Sequence, residues 1–302
     1  MQTLHGTPAK VFKAWPPQRR RAIRLFLARL ALAGLAVAGL AAGLALSGNS
    51  TRASAEPVPP LNASCETQSG DAHAVVRMSQ AATLVLDDGR EVRLAGVMVP
   101  QEPVARAAIA MLTQAAGVEV AVAGGRPDRY GRVAVQVYAK RAGERIWVQR
   151  ELVEQGHAIV SSRQDGEACL QKLLEIENKA RQEKRGVWAH AAYRVHSTAD
   201  LIQLSRLRSE FVVVEGKVAN VTPRAGRLFL NFGDNWRTDF TVAVPKRVLA
   251  AAPDTLSKLT SLTGHSIRVR GWIERRYGPA IEVFSVHDIE DLEGSTAAAT
   301  SP

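Results

Sequence analysis

The sequence predicts a mainly β fold with helices: two small barrels in tandem, behind an N-terminal apolar helix. Three observations carry this. Short strand patterns recur between residues 75 and 138 and again between 211 and 286, each group interrupted by a helical stretch. A short connector, 192–199, separates the two groups. The formal charge of +10 lies almost wholly in residues 1–55, outside both.

Residues 1–55 carry eight Lys/Arg and no Asp/Glu. Arg19, Arg20, Arg21 and Arg24 precede residues 30–46, seventeen positions without a charge, at the lower limit for spanning a bilayer. Positive charge on that side predicts a cytoplasmic start and an exported remainder, in the bacterial periplasm or on the outer face of the inner membrane. Ala53-Ser54-Ala55 offers a cleavage site, so a signal peptide and an uncleaved signal-anchor both fit. A linker, 56–72, follows. Beyond it, residues 56–195 balance eighteen basic against seventeen acidic side chains, and residues 196–302 thirteen against twelve. Bulk charge therefore gives neither folded part a reason to bind phosphate. Two cysteines, Cys65 and Cys169, flank the first domain. In an exported chain they suggest a disulfide, with one buried and one loose thiol as the alternative.

The first domain, 73–191, starts with a strand at 75–78. A hairpin then alternates Leu84 and Leu86, turns at Asp88-Gly89, and alternates Val92 and Leu94. A helix at 103–116, strands at 118–122 and 133–138, and a short helix at 147–155 come next. The helix 167–184 has an apolar stripe of Leu170, Leu173, Leu174 and Ile176, with Glu177, Lys179, Arg181, Glu183 and Lys184 on a face expected to be solvated. Gly186 is the expected left-handed cap, and Trp188 is expected to pack back as core. The second domain, 200–293, reads as strands 211–221, 228–232, 239–244, 267–272 and 280–286, with a helix near 256–262. Five strands with a helix after the third is the order of an OB barrel. Residues 294–302 form a tail without core-forming residues.

The hairpin and the turn Asp128-Arg129-Tyr130-Gly131-Arg132 resemble the staphylococcal-nuclease, or thermonuclease-like, family over roughly residues 75–188. The resemblance implies a nuclease-type barrel in which acidic residues hold Ca²⁺ and position water, while two arginines neutralise phosphate. Arg93 and Arg132 stand at the two arginine positions, and Thr83 matches the threonine of the first motif. The acids do not match. Gln80-Ala81-Ala82 replaces Asp-Gly-Asp, Met98 replaces an aspartate, and Gln101 replaces the glutamate. Ca²⁺ needs six to eight oxygen ligands, which Ala82, Met98 and Gln101 do not supply. Displaced carboxylates are the alternative, with Glu102 the weak candidate and Asp87 and Asp88 farther along the hairpin.

His157, His190, His196, His265 and His287 have no Cys or carboxylate at ligand spacing, so no metal or other cofactor is expected unless the displaced-carboxylate alternative holds Ca²⁺. In the second domain, Trp236 and Arg237, with Arg227 and Phe229 on an adjoining strand, could stack bases and meet phosphate. Trp272, Arg275, Arg276 and Tyr277 form a second cluster of that kind. The leading expectation is an exported, catalytically degenerate thermonuclease-like protein that binds nucleic acid, another polyanion or an envelope protein partner. A Ca²⁺-dependent phosphodiesterase and a structural envelope protein are the alternatives.

Overall fold

The computed structural model describes residues 65–293 apart from 67, 80–81, 114–116, 124–126, 165–166, 252–253 and 276. The expected signal or anchor segment, most of the linker, the tail, Gln80, Ala81 and Arg276 lie outside the described residues. Among the described residues no helix is long and apolar enough to cross a membrane.

The first barrel contains strands β1 (Asp71–His73), β2 (Val75–Met78), β3 (Leu84–Leu86), β4 (Glu91–Leu94), β5 (Val97–Met98), β6 (Val118–Val122), β7 (Val133–Arg141), β8 (Glu144–Trp147) and β9 (Ile159–Val160). Its helices are α1 (Pro103–Thr113), α2 (Val148–Glu154) and α3 (Glu167–Gln182). The main sheet runs β1-β6-β7-β4-β3-β2, with β8 beside β7. Only Ala74 separates β1 from β2, so the two ends of that order are one bent strand and the sheet closes on itself. Strand β4 runs parallel to β7, with Arg93 opposite Ala134. Strand alternation sends Val92 and Leu94 inward to meet Leu84, Leu86, Val135 and Val137, and leaves Glu91 and Arg93 outside. Ile109, Leu152 and Leu173 bring the three helices onto the same core. Cys65 and Cys169 are joined in a disulfide with Cα atoms 5.7 Å apart, and the Tyr138 hydroxyl donates to the Cys65 carbonyl at 2.6 Å.

The second barrel repeats the plan. It contains β10 (His196–Ser197), β11 (Phe211–Lys217), β12 (Asn220–Arg224), β13 (Arg227–Asn231), β14 (Thr241–Val244), β15 (Ser266–Arg275), β16 (Pro279–Glu282) and β17 (Ile289–Asp291), with helices α4 (Leu201–Arg206), α5 (Lys246–Leu249) and α6 (Thr255–Thr260). In the order β10-β11-β15-β16-β14-β13-β12, β11 and β12 are two pieces of one bent strand, with β10 added in parallel beside β11. The expected strand 211–221 is broken because Val218 donates to His265 O while Ala219 donates to Asn231 O, which hands the chain from one side of the barrel to the other. Strands β14 and β16 are parallel, matching β4 and β7. Both barrels thus have the OB strand order. The expected strand 280–286 stops at Glu282, where a Ser285–Asp288 capping box turns the chain toward β17.

Two expectations for the end of α3 change. Gly186 does adopt φ +52°, but Lys184, at φ +53°, already turns the helix end into the left-handed region. Gly186 serves close approach instead: a Cβ there would lie 2.4 Å from Gly156 O, and one on Gly156 would lie 2.2 Å from Arg185 O. The charged face of α3 is solvated only in part: Lys179, Glu183 and Lys184 are exposed, but Glu177 and Arg181 are covered. Glu177 is fully buried, and its carboxylate accepts from Val160 N–H at 2.7 Å and from Arg270 of β15 at 2.6 Å. Arg270 is itself 1 % exposed, and its other amino group meets Glu290 at 2.6 Å. Burial pushes the Glu290 carboxyl up, but the charge and hydrogen bond of Arg270 outweigh it and hold the group below its ordinary value. Arg268 extends the pairing to Glu215 at 2.6 Å. Around these ions Trp188 and Val187 pack against Val213 of the second barrel. The second barrel takes the place of water on that side of α3, which helical periodicity alone does not register.

Candidate functional site

In the first barrel, Arg93 leaves the outer face of β4, and Arg132 follows the turn that leads into β7. The parallel β4–β7 pairing brings the two arginines, 39 residues apart in sequence, to one place. With Ala82, Met98, Leu94, Val97 and Val99 they line a cleft of about 210 Å³. Four positions read from the motifs, Ala82, Arg93, Met98 and Arg132, therefore do converge. Among the described residues the lining contains no carboxylate and no other oxygen-bearing side chain, and two guanidinium groups face it, so the residues described do not fit Ca²⁺. Gln101 and Glu102 are not part of this lining; the Tyr193 hydroxyl donates to Glu102 Oε1 at 3.4 Å.

Asp128 is the side chain that sequence reasoning overlooked here. Its Oδ2 lies 2.8 Å from Arg132 Nη2 and 3.3 Å from Arg93 Nε, while its Oδ1 accepts the backbone N–H groups of Tyr130 and Arg132. Burial pushes the carboxyl up, but the Arg132 side chain, the two backbone donors and the Arg132 charge prevail and bring its pKa down to about 2. Arg132 also reaches Thr83 Oγ1 at 3.3 Å and lies over the Tyr130 ring at 4.9 Å. The arginine pair is thus held by an internal anion. An Asp two residues before Tyr-Gly-Arg, placed to receive its own turn's N–H groups, was the available signal.

A group of three possible metal ligands, His73, Asp87 and Asp88, lies at the hairpin turn. Arg90 enters it, with Nε 2.5 Å from Asp88 Oδ2 and Nη2 2.6 Å from His73 Nε2, so a guanidinium already supplies the positive charge.

The second barrel carries a larger groove, about 740 Å³ in volume, across the outer face of β12, β13 and β14. Period-two alternation builds it. Asn220, Thr222 and Arg224 point out from β12, and Arg227, Phe229 and Asn231 from β13, while Leu228 and Leu230 enter the core. The floor is a connected row of neutral groups: Thr222 Oγ1 and Asn231 Nδ2 both donate to Asn220 Oδ1, at 3.1 and 2.8 Å. One end is walled by the loops 232–240 and 277–278. These loops are pressed together at Gly278, where a Cβ would lie 2.5 Å from Thr238 O. Their contact sets Trp236 edge-on to Tyr277, ring centroids 5.0 Å apart, with 40 % and 63 % of the two residues exposed. Arg237 lies over the Trp236 ring at 4.5 Å.

Of the residues expected to meet nucleic acid, Trp236 and Arg227 line this groove and Arg237 borders it through Trp236. Arg227 is committed to an ion pair with Glu282. Arg275, exposed at the end of β15, is not in the lining. The expected second cluster divides: Tyr277 joins Trp236, whereas Trp272 packs on Phe211, centroids 5.9 Å apart, under Arg163. Arg224, Thr222 and the two asparagines were not anticipated. An outward Phe229 flanked by inward leucines was their sequence signal.

No curated protein matches the chain. Residues 90–190 match the model of the family described as Staphylococcal nuclease homologue, and with the fold above this identifies the first barrel as a staphylococcal-nuclease-like domain.

Proposed function

We propose that this is an exported, catalytically degenerate nuclease-like protein that binds single-stranded nucleic acid through the groove of its second barrel. The observation that carries the binding is the groove itself, where Trp236, Tyr277 and Phe229 offer stacking surfaces beside Arg224 and Arg227. Degeneracy is supported by a cleft in which Ala82 and Met98 stand at the acidic positions and Asp128 already occupies the arginine pair. Phosphodiester cleavage needs an activated water and stabilisation of charge on phosphorus, and among the described residues this lining has no group to activate the water. Export, by signal peptide or anchor, is supported by the basic and apolar N-terminal pattern and by the Cys65–Cys169 disulfide.

The test uses the full chain with labelled single-stranded DNA. Binding is expected to weaken as salt rises, without Ca²⁺-dependent cleavage. Trp236→Ala is expected to lose about 1–3 kcal/mol of affinity. Chelator-sensitive cleavage abolished by Arg93→Ala would overturn the degenerate reading, and affinity untouched by Trp236→Ala would remove the groove as the binding site.

A further inference from the structure

The groove has two unlike ends. At the β12–β13 hairpin Arg224 is exposed, lines the groove, and has no ion-pair or side-chain hydrogen-bond partner among the described residues. At the opposite end of β13, beyond Asn231, Asp234 is likewise exposed, lines the groove beside Trp236, and has no partner among the described residues. The other charges of the lining are engaged. Arg227 pairs with Glu282, and Asp239 accepts Asn235 N–H at 2.9 Å and the Thr238 hydroxyl at 3.0 Å. The length of β13, five residues, separates the two ends by about 14 Å.

A carboxylate beside a stacking platform is a poor neighbour for phosphate but a good acceptor for an N–H donor on a stacked ring. We infer that the groove is a polar reader: phosphate lies at Arg224, and a base stacked at Trp236 and Tyr277 offers its exocyclic amine to Asp234. This rests on the nucleic-acid reading above and adds base selectivity to it. Cytosine and adenine present an amine on the edge left free in a single strand, and carboxylates accept from such amines. Thymine presents carbonyl oxygens on both sides of its ring N–H, so Asp234 repels it. The ladder of Asn220, Asn231 and Thr222 between the ends is uncharged and imposes no sign of its own.

The experiment measures fluorescence anisotropy of labelled dC and dT homopolymers, about 8 nucleotides long and so within OB-barrel site sizes, against the full chain at neutral pH. Both bases are single-ring pyrimidines. Thymine carries a carbonyl in place of the amine, a ring N–H and an added C5 methyl. A dU homopolymer, which lacks the methyl, serves as the control and is expected to behave as dT. The wild type is expected to hold the dC oligomer about tenfold tighter than dT, within the range of one good base contact. Asp234→Asn, whose amide can donate or accept, is expected to bring the two together, chiefly by weakening dC. Arg224→Ala is expected to weaken both by the same factor and to reduce the salt slope by about one. Equal affinity of the wild type for dC and dT would overturn the selectivity while leaving nucleic-acid binding in place. Failure of both oligomers to bind would overturn the nucleic-acid reading itself.

Discussion

The two barrels share a strand order, a bent closing strand and a parallel pair, yet they treat charge at their surfaces in opposite ways. In the first, the parallel pair gathers Arg93 and Arg132, and the same turn that delivers Arg132 also delivers Asp128 to hold them. The result is a small cleft with apolar walls, in which two arginines share the single carboxylate of Asp128. In the second, the outer face of three strands is left open, and two charges at its ends have no partner among the described residues. Similar backbone plans therefore place one pair of arginines in internal pairing and leave two charges at the ends of the other groove without a partner among the described residues. The difference lies in a handful of side chains and in the loops that bring them together.

That contrast can be broken by experiment. The largest effect is expected at the disulfide, which only the first barrel has. Closing 104 residues of chain constrains the unfolded state, and Cys169→Ser is expected to destabilise by about 4–5 kcal/mol on the entropic model. Denaturation followed alongside oligonucleotide binding would show whether the groove survives when the first barrel loosens. Next comes the buried interface. Glu177→Ala leaves Arg270 buried with one carboxylate fewer and is expected to cost about 3–5 kcal/mol in urea denaturation. The wild type is expected to unfold in one transition and the variant in two, since this network links the barrels; a single unshifted transition would show that they fold independently of it.

Smaller effects sharpen the comparison of the sites. Gly278→Val forces the loops 232–240 and 277–278 apart, at an expected cost of about 1–3 kcal/mol from overpacking, with a larger proportional loss of oligonucleotide affinity than of stability. The smallest change is set by pH. The folded pKa of Asp128, about 2, lies below its ordinary value of 3.8, so its pairing contributes stability above about pH 4 and loses it as pH falls through about 2. Asp128→Asn is expected to flatten this part of the acid-unfolding curve and to leave oligonucleotide binding at neutral pH unchanged. A drop in that binding would tie the two sites together.

Much of the plan was legible because strands and helices announce themselves by period. Leu84, Leu86, Val92 and Leu94 mark the hairpin, and Leu228 and Leu230 mark β13. Short elements without such a pattern were not legible: β1, β8 and β17 are strands because a neighbour's backbone groups need partners. The site in the first barrel was partly legible, since the resemblance to the nuclease family implies that Arg93 and Arg132 meet. Their capture by Asp128 was not, because it depends on where a turn folds its own carboxylate.

By itself, then, the sequence determined the two-barrel plan and the positions of Arg93 and Arg132, and its resemblance to the nuclease family implied that Ala82, Met98 and Gln101 stand where acids are expected. These are one-dimensional properties, carried by periodicity and by residue identity at a motif position. The tertiary structure alone decided that Glu177 and Arg270 are buried partners, that Trp272 belongs to one side and Trp236 to another, and that Arg224 and Asp234 line opposite ends of one groove. A charged residue looks solvated in a helical or strand pattern until a second layer packs upon it. Which charges are covered and which stay open depends on contacts between residues far apart in the chain, and those contacts exist only once both barrels have closed.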